Sequence, residues 1–182
     1  MYREPLERFL SAYRSKCEEY DKDDICGRVF HHQVPTFGGA IRRIVLREDF
    51  SDDSHFVPQD ETCNLRKTLP YFTEKFILDP ATSHDKMQAV FQHAHVELNE
   101  EMNGLLNIYF APSGTEGDQH HNTHSSEVAA LLKYYNHDCY IRLIVDHFKE
   151  DYSLFQIPIP DWALGALGRV TREQCIQMIR SH

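Results

Sequence analysis

Hydrophobic residues near the start of the chain recur at the spacing of an α-helix. Pro5 suits the first turn of such a helix, because its missing N–H would have no partner there. The apolar positions that follow form one stripe with polar residues between them, and they are Leu6, Phe9, Leu10, Tyr13 and Cys17. The pattern predicts an amphipathic helix over residues 5–20, followed by a polar break at residues 21–24 and Gly27.

Helical periodicity continues along much of the chain. It recurs in four further stretches, at residues 41–50, 84–96, 126–135 and 137–151. Thr171 and Gln174 match a capping box, in which each side chain bonds the backbone N–H of the other residue. They predict a last helix that ends near Arg180.

The segments between the predicted helices are loop-like or β-prone. Residues 31–39 and 111–124 are rich in turn residues and predict loops, the second of them long enough to suggest a function. The short aromatic run at residues 71–78 predicts a strand. Because no repeat or domain boundary is visible, we expect a single domain over residues 1–182.

Composition and charge narrow the class of protein. The chain has 182 residues, of which 41% are hydrophobic, and these are values of a globular domain. No apolar run approaches the ~20 residues that span a membrane, and no signal peptide is visible. Residues 1–47 carry nine Lys and Arg against seven Asp and Glu, whereas residues 48–182 carry ten against twenty-one. This acidic remainder argues against nucleic acid as a partner.

The first helix has a second face that is polar. If the helical rise is extended back to Arg3, then Arg3, Glu7, Ser11 and Arg14 lie within about 80° of arc. A guanidinium fork and a hydroxyl near the positive end of a helix can hold a phosphate group. The alternative is an ordinary charged surface, on which Glu7 pairs with Arg3 four residues back. Spacing alone leaves both interpretations open.

The order of residues from Arg3 to Arg14, REPLERFLSAYR, closely resembles a known nucleotide-binding motif. It is similar to the 3′-phosphate-binding motif of the carbohydrate sulfotransferases, a Golgi family that includes the chondroitin and dermatan sulfotransferases. The resemblance implies that Arg3 and Ser11 hold the 3′-phosphate of the sulfate donor, 3′-phosphoadenosine-5′-phosphosulfate. Arg8 also belongs to the motif but points about 140° away from Arg3. We expect Arg8 to be an exposed partner for Glu4 rather than a source of diffuse charge.

Two later segments resemble the same family, in the same order. Residues 53–63, DSHFVPQDETC, are similar to its His-Trp-x-Pro-Gln-x-x-x-Cys segment, with Phe56 in place of the Trp. Residues 144–155 resemble its closing Tyr-x-x-Asp-Tyr-x-Leu-Phe helix, so the likeness covers about residues 2–157. His55 lies in a matched segment and is a weak candidate for contacting sugar or moving a proton. The alternative is a structural His in the turn after Asp53.

The resemblance also implies a fold. It predicts a helix-rich α/β chain, part of the P-loop-like sulfotransferase fold. In that fold the 5′-phosphosulfate loop and its strand precede the 3′-phosphate helix, and here only two residues precede Arg3. We therefore expect a C-terminal portion that lacks its first strand, its phosphosulfate loop and a membrane anchor. Such a chain alone should transfer sulfate far more slowly than a full-length relative.

The function implied by the resemblance is transfer of sulfate to a hydroxyl group of a glycan. A glycosaminoglycan such as chondroitin is the expected acceptor, the Golgi lumen the expected location, and no metal is required. One alternative is a non-catalytic relative that binds nucleotide or glycan, or partners an intact paralogue. Another is a metal-binding protein with His120, His121 and His124 as ligands. A basic group formed by Arg42, Arg43 and Arg47 either meets an acidic glycan or is a plain solvated surface.

The five cysteines contain no Cys-x-x-Cys pair, which argues against a zinc knuckle. Sequence alone leaves the redox compartment open. The lumenal location of the family implies one or two disulfides. We expect a disulfide within the group Cys17, Cys26 and Cys63, which flank the matched segments, rather than between Cys139 and Cys175.

Overall fold

The computed structural model describes residues 3–19, 25–31, 35–48, 53–72, 82–110 and 128–181. These residues are helical or irregular, and none of them forms a strand. Almost all of the predicted strand lies outside the described residues, while Tyr71 at its start ends a 3₁₀ helix. The predicted α/β fold therefore stays a prediction.

The described α-helices are named in chain order. They are α1 (Pro5–Tyr13), α2 (Ile25–Val29), α3 (Phe37–Leu46), α4 (Leu65–Thr68), α5 (Ser83–His93), α6 (Glu100–Phe110), α7 (Val128–Tyr134), α8 (Asp138–His147), α9 (Lys149–Leu154), α10 (Asp161–Arg169) and α11 (Arg172–Arg180). A π-helical segment, Arg14–Glu19, continues α1, and 3₁₀ helices form at Gln59–Asn64 and Leu69–Tyr71.

The chain divides into two compact units. The smaller unit comprises Met1–Arg3 and Pro70–Ser125, and the larger unit comprises Glu4–Leu69 and Ser126–His182. In the smaller unit α5 packs against α6. His84 Nε2 lies 3.0 Å from Asn107 Oδ1 between these two helices. The expectation of a single domain remains untested.

Helix α8 is at the centre of the larger unit, where it contacts α1, α3, α10 and α11. Apolar residues lie on several sides of this helix, and Leu143 and Ile144 are completely buried. Helix α1 buries the predicted stripe against it, and all five stripe residues are at most 5% exposed. The Tyr135 hydroxyl donates to the Leu6 carbonyl at 2.8 Å in the same interior. The apolar periodicity of α1 thus predicted its buried side correctly.

Aromatic rings fill the space between α1, α3 and α8. Phe9 meets Phe37 and Phe56 edge to face, each with ring centroids 5.7 Å apart. Phe37 also meets Tyr135 at 5.1 Å. Such edge-to-face pairs stabilise a core beyond their buried area. Close packing here constrains α3, since a Cβ added at Gly38 would lie 2.7 Å from Cζ of Tyr140.

Several helix boundaries differ from prediction because polar groups or backbone geometry decide them. Helix α3 begins at Phe37, within the predicted loop, because the Thr36 side chain accepts from the Gly39 N–H at 3.2 Å. Gly27, predicted as part of a break, lies inside α2. The helix predicted over residues 137–151 is divided at Phe148 into α8 and α9. The capping box of Thr171 and Gln174 is confirmed.

Two disulfides cross-link the larger unit. Cys17 bonds to Cys26, and Cys139 bonds to Cys175, each pair with Cα atoms 5.0 Å apart. The first confirms a disulfide within the predicted group. The exclusion of Cys139–Cys175 was wrong, because α8 packs along α11 and brings together residues that are 36 positions apart. Within the described part of the chain, no helix is both long and apolar enough to cross a bilayer.

Candidate functional site

Ser11 lies on the polar side of α1. Its side chain is partly exposed, as are those of Glu7 and Arg14 on the same side of the helix. The guanidinium of Arg14 faces Glu18 at 4.0 Å. The role of Ser11 in binding a phosphate group stays a prediction.

Arg3 directly precedes Glu4, the residue that caps α1, and its side chain is partly exposed. Arg3 groups with the smaller unit and Ser11 with the larger one. Neither side chain is buried in an apolar core. The prediction that the two residues line one groove therefore stays a prediction.

The N-terminus of α1 already holds a carboxylate. Glu4 accepts a hydrogen bond from the Glu7 N–H at 2.8 Å, and its other oxygen accepts one from the Tyr152 hydroxyl. Burial, followed by the nearby Glu4 carboxylate, raises the pKa of Tyr152 well above its ordinary value. Because Glu4 occupies the positive end of the helix, the dipole contributes less to phosphate binding than the sequence suggests. A phosphate there would depend mainly on side chains.

Arg8 is not the exposed partner of Glu4 that the spacing predicted. Its guanidinium donates to the Val57 carbonyl, and Cζ lies 5.0 Å from the ring centroid of Phe148. Burial lowers the pKa of Arg8, and the charge of Asp151 opposes that shift. The prediction was wrong because residues distant in sequence cover this side of α1, which a helix considered alone cannot show.

Asp151 is completely buried at the start of α9. Its two carboxylate oxygens accept hydrogen bonds from the backbone N–H groups of Gln59 and Asp60, each at 2.8 Å. Burial raises the pKa of Asp151, while these two hydrogen bonds and the Arg8 charge hold it down. Asp60 in turn accepts from Arg66 at 2.8 Å. These contacts fix the Pro-Gln segment onto α9.

The three segments that carry the family resemblance therefore meet in the larger unit. Arg8 joins α1 to Val57, Asp151 joins α9 to residues 59–60, and Phe56 is completely buried against Phe9. The buried position of Phe56 is the place where the family motif carries a Trp. The Phe56 ring packs edge to face against Phe9 and Phe30 there.

His55 lies beside this junction, at the surface. Its ring is 47% exposed, and Nδ1 is 2.7 Å from Asp53 Oδ1. The same Asp53 oxygen accepts from the His55 backbone N–H at 2.9 Å. This is the turn that the structural interpretation predicts, and the ring remains accessible to a ligand. A role for His55 in proton transfer or sugar binding stays a prediction.

His147, the last residue of α8, is a half-buried titratable group that sequence analysis did not single out. Its pKa is lowered to about 4, mainly by burial; the charges of Arg47, Arg8 and Arg172 act in the same direction, and a hydrogen bond with the Phe56 backbone opposes the shift. Its Nε2 atom has no hydrogen-bond partner among the described residues. No sequence signal distinguishes it from the other histidines, because both its burial and its neighbouring cations come from the tertiary structure.

The basic group on α3 is largely engaged within the protein. Arg43 donates to the Phe30 carbonyl at 3.0 Å, and Arg42 pairs with Glu48 at 3.4 Å. Arg47 ends the helix with a left-handed backbone, φ 54°, and is exposed. Contact of this group with an acidic glycan stays a prediction.

Among the described residues, no group of three or more His, Cys, Asp or Glu side chains is placed to hold a metal ion. The histidines proposed as metal ligands, His120, His121 and His124, lie outside those residues. The metal-binding alternative is therefore not tested.

Comparison with protein families agrees with these motifs. The model of the sulfotransferase family matches residues 1–157 of the 182-residue chain, so the chain belongs to the sulfotransferase family. The activity of this family is sulfate transfer, and the donor that its members generally use is 3′-phosphoadenosine-5′-phosphosulfate. No curated protein and no solved structure shows significant similarity to the chain.

Proposed function

We propose that this protein transfers sulfate from 3′-phosphoadenosine-5′-phosphosulfate to a hydroxyl group of a glycan in the Golgi lumen. The proposed acceptor is a glycosaminoglycan such as chondroitin. The observation that carries the proposal is the family match over residues 1–157, which includes all three motif segments. The disulfides Cys17–Cys26 and Cys139–Cys175 support an oxidising compartment such as the secretory pathway.

In the proposed reaction the sulfuryl group moves in line between two oxygens. The bond from sulfur to the phosphate oxygen breaks, the bond to the sugar oxygen forms, and a base takes the hydroxyl proton. Adenosine 3′,5′-bisphosphate leaves. Arg3 and Ser11 would bind its 3′-phosphate, and fixing that end of the donor aligns the reacting atoms. His55 is the proposed residue on the acceptor side.

The donor site is tested by calorimetric titration with two nucleotides. Arg3→Ala should weaken binding of adenosine 3′,5′-bisphosphate about 10- to 100-fold, the effect of losing hydrogen bonds to a charged group. Ser11→Ala should weaken it about 5-fold. Neither substitution should change the affinity for adenosine 5′-phosphate, which lacks the 3′-phosphate. Arg180→Ala, an exposed arginine in the last turn of α11, is the matched control.

Equal losses for both nucleotides would contradict the assignment of Arg3 and Ser11. The acceptor is tested separately, with radiolabelled donor and desulfated chondroitin. Nucleotide binding without any incorporation of sulfate would favour the non-catalytic alternative. Turnover comparable to that of a full-length family member would contradict the slow transfer expected of this chain.

A further inference from the structure

The backbone from Val57 to Asp60 is held at both of its ends. Its first carbonyl accepts from Arg8 on α1, and its last two N–H groups donate to Asp151 on α9. Pro58, between them, is buried and has no N–H to contribute. Two charged side chains from distant parts of the sequence thus fix four consecutive residues.

Each of these contacts is strong because its charge is shielded from water. Asp151 is completely buried, and hydrogen bonds from two N–H groups satisfy one carboxylate. Charge-assisted hydrogen bonds of this kind are roughly twice as strong as neutral ones. The Arg8 guanidinium lies over Phe148, where the face of an aromatic ring attracts a cation.

The same contacts keep the Arg8 guanidinium away from the polar side of α1. Ser11 is on that side and is partly exposed, whereas Arg8 is directed towards Val57 and Phe148. An arginine used in this way orients the backbone and does not need to touch a nucleotide. Its presence in the phosphate-binding motif therefore has a different physical reason from that of Ser11.

We infer that Arg8 and Asp151 are positioning residues that fix the Val57–Asp60 segment, and His55 beside it, onto helix α1. Because Ser11 is on the same helix, the pair sets the place of the candidate acceptor-side residue relative to the candidate donor-binding residue. The part of this inference that concerns the nucleotide and the acceptor rests on the proposed function. The inference that Arg8 and Asp151 hold the Val57–Asp60 segment in place is independent of that function.

Amide hydrogen exchange tests directly whether Asp151 holds the Val57–Asp60 segment in place. Asp151→Asn leaves one acceptor oxygen for two N–H groups, so the amides of Gln59 and Asp60 should exchange about 10- to 100-fold faster. Amides of α11 report global unfolding and correct for it. Asp161→Asn, the same change at an exposed residue of α10, should leave the Gln59 and Asp60 rates unaltered. Unchanged rates in Asp151→Asn would overturn the inference.

Arg8 is tested with two substitutions of graded severity. Arg8→Met removes the donor to the Val57 carbonyl and should loosen the segment, so the Val57 amide, which donates to the Asp53 carbonyl at 3.1 Å, should exchange faster. Arg8→Lys keeps a charge and a donor and should restore part of the protection. Equal exchange in the two variants would contradict the assigned role. This comparison remains informative if Asp151→Asn unfolds the protein.

Nucleotide affinity separates positioning from direct contact. If Arg8 only positions, Arg8→Met changes the affinities for adenosine 3′,5′-bisphosphate and adenosine 5′-phosphate by the same factor, and their ratio is unchanged. A fall in the ratio would make Arg8 a phosphate ligand and overturn the inference. If the wild-type protein does not prefer the 3′-phosphate, the proposed function fails, while the exchange rates still decide whether the segment is fixed.

Discussion

The half-buried His147 should make the stability of this protein depend on pH in a specific direction. In the folded protein its pKa is lowered from 6.5 to about 4, mainly by burial and then by neighbouring arginine charges. Between these values the unfolded chain binds a proton that the folded chain does not bind. Stability is therefore fully present above pH 6.5 and is lost as the pH falls through that window.

The size of the effect follows from the pKa difference. Each unit corresponds to about 1.4 kcal/mol, so His147 alone removes about 3 kcal/mol from the free energy of unfolding between pH 6.5 and 4. That is a large fraction of the 5–15 kcal/mol typical of a folded domain. Asp151, whose pKa is raised by burial, acts in the opposite sense as the pH falls. Its contribution must be separated from that of His147.

Urea unfolding of the wild-type protein and of His147→Gln across this pH range separates the contribution of His147 from that of Asp151. Glutamine does not titrate but can still donate to the Phe56 backbone, so the variant should lose most of the decline, while Asp151 contributes equally to both proteins. His55→Gln, the same replacement at an exposed histidine, is the matched control for the substitution itself. Parallel curves for wild type and His147→Gln would refute the reasoning.

Two further predictions concern packing and cross-links in the larger unit. Gly38→Ala should lower the free energy of unfolding by about 1–3 kcal/mol, because the added methyl group meets the ring of Tyr140. Gly168→Ala has open space around it and should raise the free energy of unfolding by about 0.5 kcal/mol. Thermal unfolding measures both variants, and equal effects would contradict the packing argument. Removing the Cys139–Cys175 disulfide by paired alanine substitutions should lower the free energy of unfolding by about 4 kcal/mol. Removing Cys17–Cys26 should lower it by about 3 kcal/mol, because its loop is shorter. A larger loss from the shorter loop would show that loop entropy is not the main effect.

Features that depend on local sequence were predictable. The buried stripe of α1 follows from periodicity, since residues three and four apart share one side of a helix. The capping box at Thr171 follows from two residues three positions apart. Helix α10 was not predicted, because its two glycines weaken the helical signal and tertiary packing overrides that preference.

Features that depend on residues far apart in sequence were not predictable from pattern. Asp151 meets the backbone of residues 59–60 across about ninety positions, and no periodicity encodes such a contact. Arg8 was misassigned for the same reason, because its preferred partner on an isolated helix is Glu4, whereas the folded chain offers Val57 and Phe148. The family motifs identified which segments matter but not how they touch.

The last two helices set a limit on how this protein can be dissected. The family match ends at residue 157, yet α10 and α11 contribute Ala163, Ala166 and Ile179 to the core. A version trimmed to the matched residues would also leave Cys139 without its partner Cys175. In an oxidising medium that thiol would pair with another molecule, and the resulting covalent dimers could be mistaken for a natural assembly. Any minimal version of the protein should therefore extend through Arg180.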